Sequence, residues 1–168
     1  MTSRWNRLVQ QHGPLVFGVA WRILGQAADA EDVVQDVFLE AHQLKRKPSD
    51  NGWGGLLYRM ATFRALDRLR QRKETVPLDQ AEPSRASAGP ETEAIGHELE
   101  VRLRQAMTML SDREAGVFCL RYFEHLSSKE IGEALGISDG AVRVALHKAR
   151  AKLQSLLADL DPGEHHVA

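Results

Sequence analysis

The chain has 168 residues, of which 43% are hydrophobic and 27% are charged, and its formal net charge is −1. These values are ordinary for a soluble globular protein, and the dominance of Leu, Ala, Arg, Glu and Gln favours helices. No apolar run approaches the ~20 residues that a membrane span needs, so we expect no membrane insertion and a cytoplasmic location. A single cysteine, Cys119, excludes an internal disulfide.

The charge is distributed unevenly along the chain. Residues 1–73 carry 12 basic and 7 acidic side chains. Residues 74–99 carry 1 basic and 6 acidic side chains, and residues 100–168 carry 9 basic and 10 acidic ones. The near-neutral total therefore conceals a basic N-terminal block and an acidic middle segment, and these local blocks say more about partners than the total does.

The residue pattern of the N-terminal half predicts three helices. Apolar residues recur at helical spacing from Leu15 to Leu24, and Gly25 is expected to end this helix. A second helix begins near Asp29 and is followed by the loop KRKPSDNG at 45–52, which has turn chemistry. A third helix runs from about Trp53 to Arg72.

The second helix lines up like charges. Asp32, Asp36 and Glu40 recur at i, i+4 and i+8, and each such pair costs a few tenths of a kcal/mol in an isolated helix. A metal site that includes His42 is one interpretation, but no second acidic cluster converges on this ridge. A docking surface for a basic partner is the other.

The segment 45–73 carries nine basic residues against two acidic ones. A solvated helix surface is one interpretation of this block. A nucleic-acid surface is the other, because Trp53 could stack on unpaired bases while arginines follow the backbone. Phe63 fits either a core position or a base contact.

The stretch KETVPLDQAEPSRASAGPETE at 73–93 holds three prolines and few large apolar residues, so it predicts a flexible linker between two domains. Beyond it, Ser111 and Glu114 form a capping-box pattern at the start of a helix. Ser127 or Ser128 begins the next helix, and Ser138 begins the last.

The last two helices fit a helix-turn-helix unit. Gly132, Gly136 and Val142 have the required spacing, and Ile131 and Leu146 would supply the shared core. From 140 to 152 the final helix carries four Lys or Arg residues and no acid, which suits DNA. A plain helical hairpin with a solvated basic face is the alternative. We find no phosphate loop, metalloprotease motif or nucleophile elbow, and we expect no catalysis, cofactor or metal.

The order of these motifs resembles one family closely. DAEDVVQDVF, a loop, LLYRMATFRALDRLRQR, a linker and the helix-turn-helix are similar to a bacterial sigma factor of the extracytoplasmic-function (ECF) group within the sigma-70 family. The resemblance implies an all-α protein of two small helical domains. Region 2 would span 1–73, a flexible linker 74–96, region 4 97–160 and a polar tail 161–168.

The resemblance also implies the partners and their sites. These are the β′ coiled coil and β flap of core RNA polymerase, promoter DNA as upstream duplex and melted strand, and an anti-sigma factor. Expected polymerase contacts are Asp29, Glu31, Asp32, Gln35, Asp36 and Phe38. The minus-ten element is expected to contact Lys45, Arg46, Lys47, Asn51, Trp53, Arg59, Phe63, Arg64 and Arg68. The minus-thirty-five element is expected to contact Ser138, Asp139, Gly140, Arg143, His147, Lys148 and Arg150.

The chain departs from the family at several positions. Leu56 and Phe63 stand where the family usually has tryptophan and asparagine, and the missing asparagine removes a hydrogen-bond donor and acceptor near the melted base of the minus-ten element. Ala141, Val144 and Ala145 replace polar readers of the last helix, which shifts recognition toward phosphates and DNA shape. The rival hypotheses are a helix-turn-helix regulator that dimerises through its N-terminal half and, more distantly, a metal-dependent nuclease.

Overall fold

The computed structural model describes residues 3–75 and 90–160, and for 73–75, 90–92, 159 and 160 it describes the backbone alone. The described part contains seven α-helices and no strand. They are α1 (Arg4–Leu24), α2 (Ala27–His42), α3 (Trp53–Thr75), α4 (Pro90–Met107), α5 (Asp112–Tyr122), α6 (Ser128–Leu135) and α7 (Asp139–Leu160), with a short 3₁₀ turn at Asp50–Gly52 before α3. The expected all-α class is confirmed. None of the described helices is both long and apolar enough to cross a bilayer.

Helix α1 begins earlier than its apolar periodicity indicates. Ser3 caps it by accepting a hydrogen bond from the backbone N–H of Asn6, and Pro14 lies inside the helix. Proline lacks an N–H and normally interrupts a helix interior. Here the first turns are held by packing, since Trp5 and Leu8 lie against the core. At the other end, Gly25 takes the left-handed conformation with φ of 70° and closes the helix as predicted.

The linker boundary also differs from the prediction. Helix α4 begins at Pro90, so the end of the predicted linker, 90–96, is helical. Proline is well suited to the first turn of a helix, where its missing N–H would have no partner. The remaining linker residues 76–89 and the tail 161–168 lie outside the described residues.

The capping predictions hold in the C-terminal half. Ser111 and Glu114 make both bonds of a capping box, and Ser127 and Glu130 make another. Glu114 also accepts a hydrogen bond from Lys152 at 2.8 Å, and this contact, together with the Ser111 backbone N–H, lowers its pKa below the ordinary value. These bonds fix the entry angles of α5 and α6.

The two halves share one hydrophobic core. Leu57, Leu66 and Leu69 of α3 are fully buried with the apolar faces of α1 and α2. The same cluster continues into Met107 of α4 and Cys119 of α5. A smaller cluster holds the helix-turn-helix together and consists of Val117, Leu120, Leu126, Ile131, Val142, Ala145 and Leu146. Burial raises the pKa of the Cys119 thiol, as expected for a small apolar core residue.

Candidate protein and nucleic-acid interfaces

The apolar and the acidic side chains of α2 lie on different faces of the helix. Val33, Val37 and Phe38 are buried, whereas the acidic ridge faces solvent. Phe38 is only 7% exposed and its ring lies edge-on to Trp5, with centroids 6.3 Å apart. Packing against α1 leaves little of this ring accessible, and its contact with a protein partner stays a prediction.

Part of the acidic ridge is paired within the chain. Arg68 of α3 donates to Asp29 at 3.2 Å and to Asp32 at 2.7 Å. Arg64 donates to Glu40 at 2.9 Å, and this bond raises the pKa of the guanidinium. The arginines relieve the repulsion that the sequence pattern implies. Three predicted partner contacts are exposed and lie outside these ion pairs: Glu31, Gln35 and Asp36.

The same pairs change the interpretation of α3. Arg64 and Arg68, predicted to contact minus-ten DNA, point toward α2, whereas Arg59 is exposed. Phe63 is half-buried, and two of its ring carbons lie 3.0 Å from the position that a Cβ on Gly116 would take. Phe63 therefore covers the backbone of α5, and in this arrangement it is a packing residue between the two halves.

Trp53 does not present a free ring. It is 5% exposed and packs edge-on against Trp5, with centroids 6.1 Å apart. The ring cannot stack on a base in this arrangement, because Trp5 of α1 and the surrounding core leave almost none of it accessible. Trp53 closes the end of the core at the start of α3.

The loop between α2 and α3 is mostly exposed. Lys45, Arg46 and Asn51 face solvent, with Asn51 in the 3₁₀ turn. Lys47 donates to the carbonyls of His42 at 3.1 Å and Leu44 at 3.3 Å. A cation at this position satisfies carbonyls that the end of α2 leaves open. Lys47 therefore positions the loop as well as adding charge.

A cleft of about 690 Å³ lies between this loop and the start of α1. It is lined by basic side chains from both and by Trp5 and Trp53. The α1 residues were missed by the sequence analysis, although Arg4, Arg7 and Gln11 recur at i, i+3 and i+7. The full lining is Arg4, Trp5, Arg7, Leu8, Gln11, His12, His42, Lys47, Pro48, Asp50 and Trp53.

The helix-turn-helix has the predicted geometry. Gly136 ends α6 with φ of 68°, and a Cβ at Gly132 would lie 2.7 Å from the carbonyl oxygen of Ile137. Both positions therefore require glycine, one for its conformation and one for the close approach of the turn. The hydroxyl of Ser138 accepts from the backbone N–H of Ala141 at 3.1 Å and caps α7.

Helix α7 presents its predicted DNA-facing residues to solvent. Ala145 is buried at 4% exposure, so its departure from the family pattern is a core substitution and not a lost base contact. Val144 is 55% exposed, and the guanidinium of Arg150 lies 5.7 Å from the ring centre of Tyr122. The predicted contacts are all exposed: Ser138, Asp139, Gly140, Arg143, His147, Lys148 and Arg150.

Metal ligation finds no support in the described part of the chain, where no group of three or more His, Cys, Asp or Glu side chains could hold an ion. The acidic ridge instead makes ion pairs with arginines. Together, an acidic helix face in one half and an exposed basic helix of a helix-turn-helix in the other are typical of a helical DNA-binding protein.

Comparison with known families identifies this class. Residues 8–75 match the family described as Sigma-70 region 2, and residues 100–153 match Sigma-70, region 4. The chain is 31% identical over 162 residues to the ECF RNA polymerase sigma factor SigW of Bacillus subtilis, covering 86% of this chain and 84% of SigW. The chain belongs to the ECF sigma factors of the sigma-70 family.

Other relatives agree. SigE of Mycolicibacterium smegmatis, also an ECF RNA polymerase sigma factor, is 31% identical over 158 residues. The match covers 92% of this chain, which spans 62% of the length of SigE. Two solved structures share the fold. CnrH in complex with the cytosolic domain of CnrY has a TM-score of 0.55 at 24% identity, covering 92% of this chain and 88% of that one. RpoE in complex with the anti-sigma factor NepR from Bartonella quintana has a TM-score of 0.54 at 18% sequence identity. That match covers 90% of this chain and 95% of RpoE.

Proposed function

We propose that the chain binds core RNA polymerase and directs it to promoters by reading two DNA elements, acting through binding and not through catalysis. The observation that carries this proposal is the arrangement of α2. Its apolar face is buried while Glu31, Gln35 and Asp36 stay at the surface, which suits docking on a basic protein surface such as the β′ coiled coil. The exposed faces of the C-terminal half would add contacts with the β flap.

Helix α7 is the proposed reader of the minus-thirty-five element. Its exposed arginine, histidine and lysine side chains can reach base edges and phosphates from the major groove. Val144 adds an apolar contact suited to a thymine methyl group. With few polar readers, recognition rests largely on phosphate contacts and on Arg143.

The minus-ten element is assigned to the loop after α2, to Arg59 and to the cleft beside the loop. Lys45, Arg46 and Asn51 are exposed there, and the cleft adds Arg4 and Arg7 from α1. Cations around an opening suit the backbone of a melted strand. Binding energy from these contacts would favour the open duplex without ATP hydrolysis.

Regulation by an anti-sigma factor is part of the proposal. CnrH, which shares the fold, was solved in complex with the cytosolic domain of CnrY, and RpoE, which also shares it, was solved in complex with the anti-sigma factor NepR. A cytoplasmic location follows from polymerase and promoter DNA as partners. The expected absence of a cofactor follows from a mechanism that consists of binding alone.

Run-off transcription tests the proposed function directly. Purified core polymerase is combined with the chain on a library of genomic fragments, and transcripts are mapped. We expect initiation only when both proteins are present, with start sites downstream of a shared pair of sequence elements. DNA binding without any polymerase-dependent transcript would instead favour a helix-turn-helix regulator that does not dock on polymerase.

Arg143→Ala is expected to weaken binding to an upstream promoter duplex by about 1–3 kcal/mol if the side chain reads a base. The exposed position of Arg143 means that the fold should be unaffected. Fluorescence anisotropy on matched and mutated duplexes measures the effect. An equal loss of affinity for every duplex would indicate that Arg143 contacts a phosphate. Unchanged affinity would show that Arg143 is not part of the DNA interface. Arg113→Ala, an exposed arginine near the start of α5, is the control.

A further inference from the structure

The cleft between α1 and the loop after α2 has features that contact with a DNA backbone does not require. Its volume is about 690 Å³, and it lies between the first turns of α1 and the segment from Lys47 to Asp50. Pockets that hold small ligands in proteins have volumes of about 300–1,000 Å³. The cleft therefore has the size of a site for one small molecule.

The cleft carries positive charge that no acid of its lining balances. Asp50 is the one acidic side chain among the described residues that line it, and Arg4 neutralises it in an exposed ion pair. Arg7 is exposed and lies outside the ion pairs of the described chain. Lys47 uses two of its three N–H groups on carbonyls at the end of α2, which leaves one for a ligand. Two cations therefore remain to hold an anion, and a phosphate accepts such charge-assisted hydrogen bonds well.

An aromatic surface lies in the same cleft as these cations. Trp5 is half-buried and lines the cleft together with the half-buried Leu8. Three rings pack edge-on against Trp5, with centroids 6.3 Å away for Phe38, 4.8 Å for His42 and 6.1 Å for Trp53. These contacts hold the accessible part of the Trp5 ring in place. A flat heterocycle gains binding energy from contact with such an aromatic surface.

Local contacts fix the loop that forms the other wall of the cleft. The backbone N–H of Gly52 donates to the carbonyl of Ser49 at 2.9 Å, and a Cβ on Gly52 would lie 3.0 Å from the Cβ of Pro48. Lys47 ties the start of this wall to the end of α2. A wall that is held before the ligand arrives loses little conformational entropy on binding. The cleft is therefore preorganised for a ligand.

We propose that the cleft is a binding site for a free 5′-nucleotide, whose phosphate is held by Arg7 and Lys47 and whose base lies against Trp5. Gln11 and His12 also line the cleft and supply hydrogen-bond donors and acceptors for the sugar and for the edges of the base. A nucleotide bound here and a melted DNA strand would use the same cations, so the nucleotide excludes the strand. That competition rests on the proposed function, whereas the binding of the nucleotide does not.

Titration of the free full chain with three matched compounds, followed by heteronuclear NMR, tests the site. AMP carries both the base and the phosphate, adenosine lacks the phosphate, and ribose 5-phosphate lacks the base. The indole N–H signals of Trp5 and Trp53 report on the cleft, and that of Trp21, which is not part of the lining, is the internal reference. We expect AMP to bind roughly tenfold more tightly than either partial compound, and to shift the Trp5 signal but not the Trp21 signal.

Arg7→Glu separates a phosphate contact from a structural role. We expect this variant to bind AMP roughly tenfold more weakly and adenosine as well as the unaltered chain does, because adenosine has no phosphate for Arg7 to contact. Damage to the cleft would instead weaken the binding of both compounds. Arg113→Glu makes the same charge change at an exposed position of α5 outside the lining, and it should bind AMP normally.

Displacement of a fluorescently labelled single-stranded oligonucleotide by AMP tests the competition. An oligonucleotide that binds while AMP does not would overturn the free-nucleotide site and leave the cleft to the melted strand. AMP that binds without displacing the oligonucleotide, or a chain that binds AMP and no oligonucleotide, would overturn the competition alone.

The remaining outcomes separate this site from the proposed function. Ribose 5-phosphate that binds as tightly as AMP, equal shifts of the Trp5 and Trp21 signals, or equal AMP binding by Arg7→Glu and Arg113→Glu would overturn the nucleotide site. A chain that directs no run-off transcription would count against the proposed function alone, because the titrations contain no polymerase.

Discussion

Asp36→Arg is expected to weaken binding of the chain to core RNA polymerase by about 30-fold, which corresponds to about 2 kcal/mol. Asp36 is exposed in the middle of the acidic ridge and lies outside the ion pairs that Asp32 and Glu40 make with α3. Reversing its charge would place like charges against each other at a basic docking surface, where such contacts cost several kcal/mol. Titration of fluorescently labelled chain with core polymerase at fixed ionic strength measures the loss.

Changing Asp36 alone is a sharper test than reversing the whole ridge. Asp32 pairs with Arg68, so its replacement would also disturb the contact between α2 and α3. Glu93→Arg supplies the same charge change on an exposed part of α4 and should bind polymerase normally. Equal melting temperatures would show that both variants are folded. If Asp36→Arg bound as tightly as the unaltered chain, the docking surface would lie elsewhere.

The amphipathic division of α2 could be predicted from the sequence because it depends only on helical periodicity. Val33 and Val37 are buried and Asp36 is exposed, as the spacing indicates. Phe38 was assigned to the partner surface from the family pattern, and packing against Trp5 buries it. Helical periodicity identifies which face of a helix is apolar. It does not indicate how much of a large ring at the margin of that face a neighbouring helix will cover.

The internal pairs of the basic segment could not be predicted from the sequence. Arg64 and Arg68 look like free cations in a charge count, and only the packing of α2 on α3 brings them to Glu40 and Asp32. Arg72 is 7% exposed and donates to the carbonyl of Leu24 at 2.8 Å. Its burial lowers its pKa, and no local pattern distinguishes such an arginine from a solvated one.

The helix-turn-helix was the most predictable part because its constraints are local. Gly132 is required by the carbonyl of Ile137, five residues away, Gly136 by its own positive φ, and Ser138 caps the helix that it precedes. The packing of the two halves was the least predictable, since it joins residues about a hundred positions apart, such as Arg22 and Glu124. The composition of the linker indicates that the halves can separate, but it does not indicate whether they pack.

The burial of Trp53 leads to a prediction about stability. Trp53→Ala is expected to destabilise the fold by about 3–5 kcal/mol, because it removes a large buried ring. For a chain of this length that corresponds to a fall in melting temperature of roughly 10 °C, at about 2–4 °C per kcal/mol. Differential scanning calorimetry measures the shift, and polymerase binding and promoter opening should fall together, in proportion to the folded fraction.

Trp53→Phe is the matched control, since phenylalanine keeps most of the apolar contact with Trp5 while altering the ring that a base would meet. We expect it to restore most of the stability and nearly all of the promoter opening. A base-stacking role predicts the opposite pattern, in which Trp53→Ala retains its melting temperature but loses promoter opening selectively. Permanganate footprinting of the melted strand measures promoter opening. The selective loss would require the ring of Trp53 to leave the core when DNA binds. The cleft beside it, with Arg4 and Arg7 at its rim, is where such a movement would have to lead.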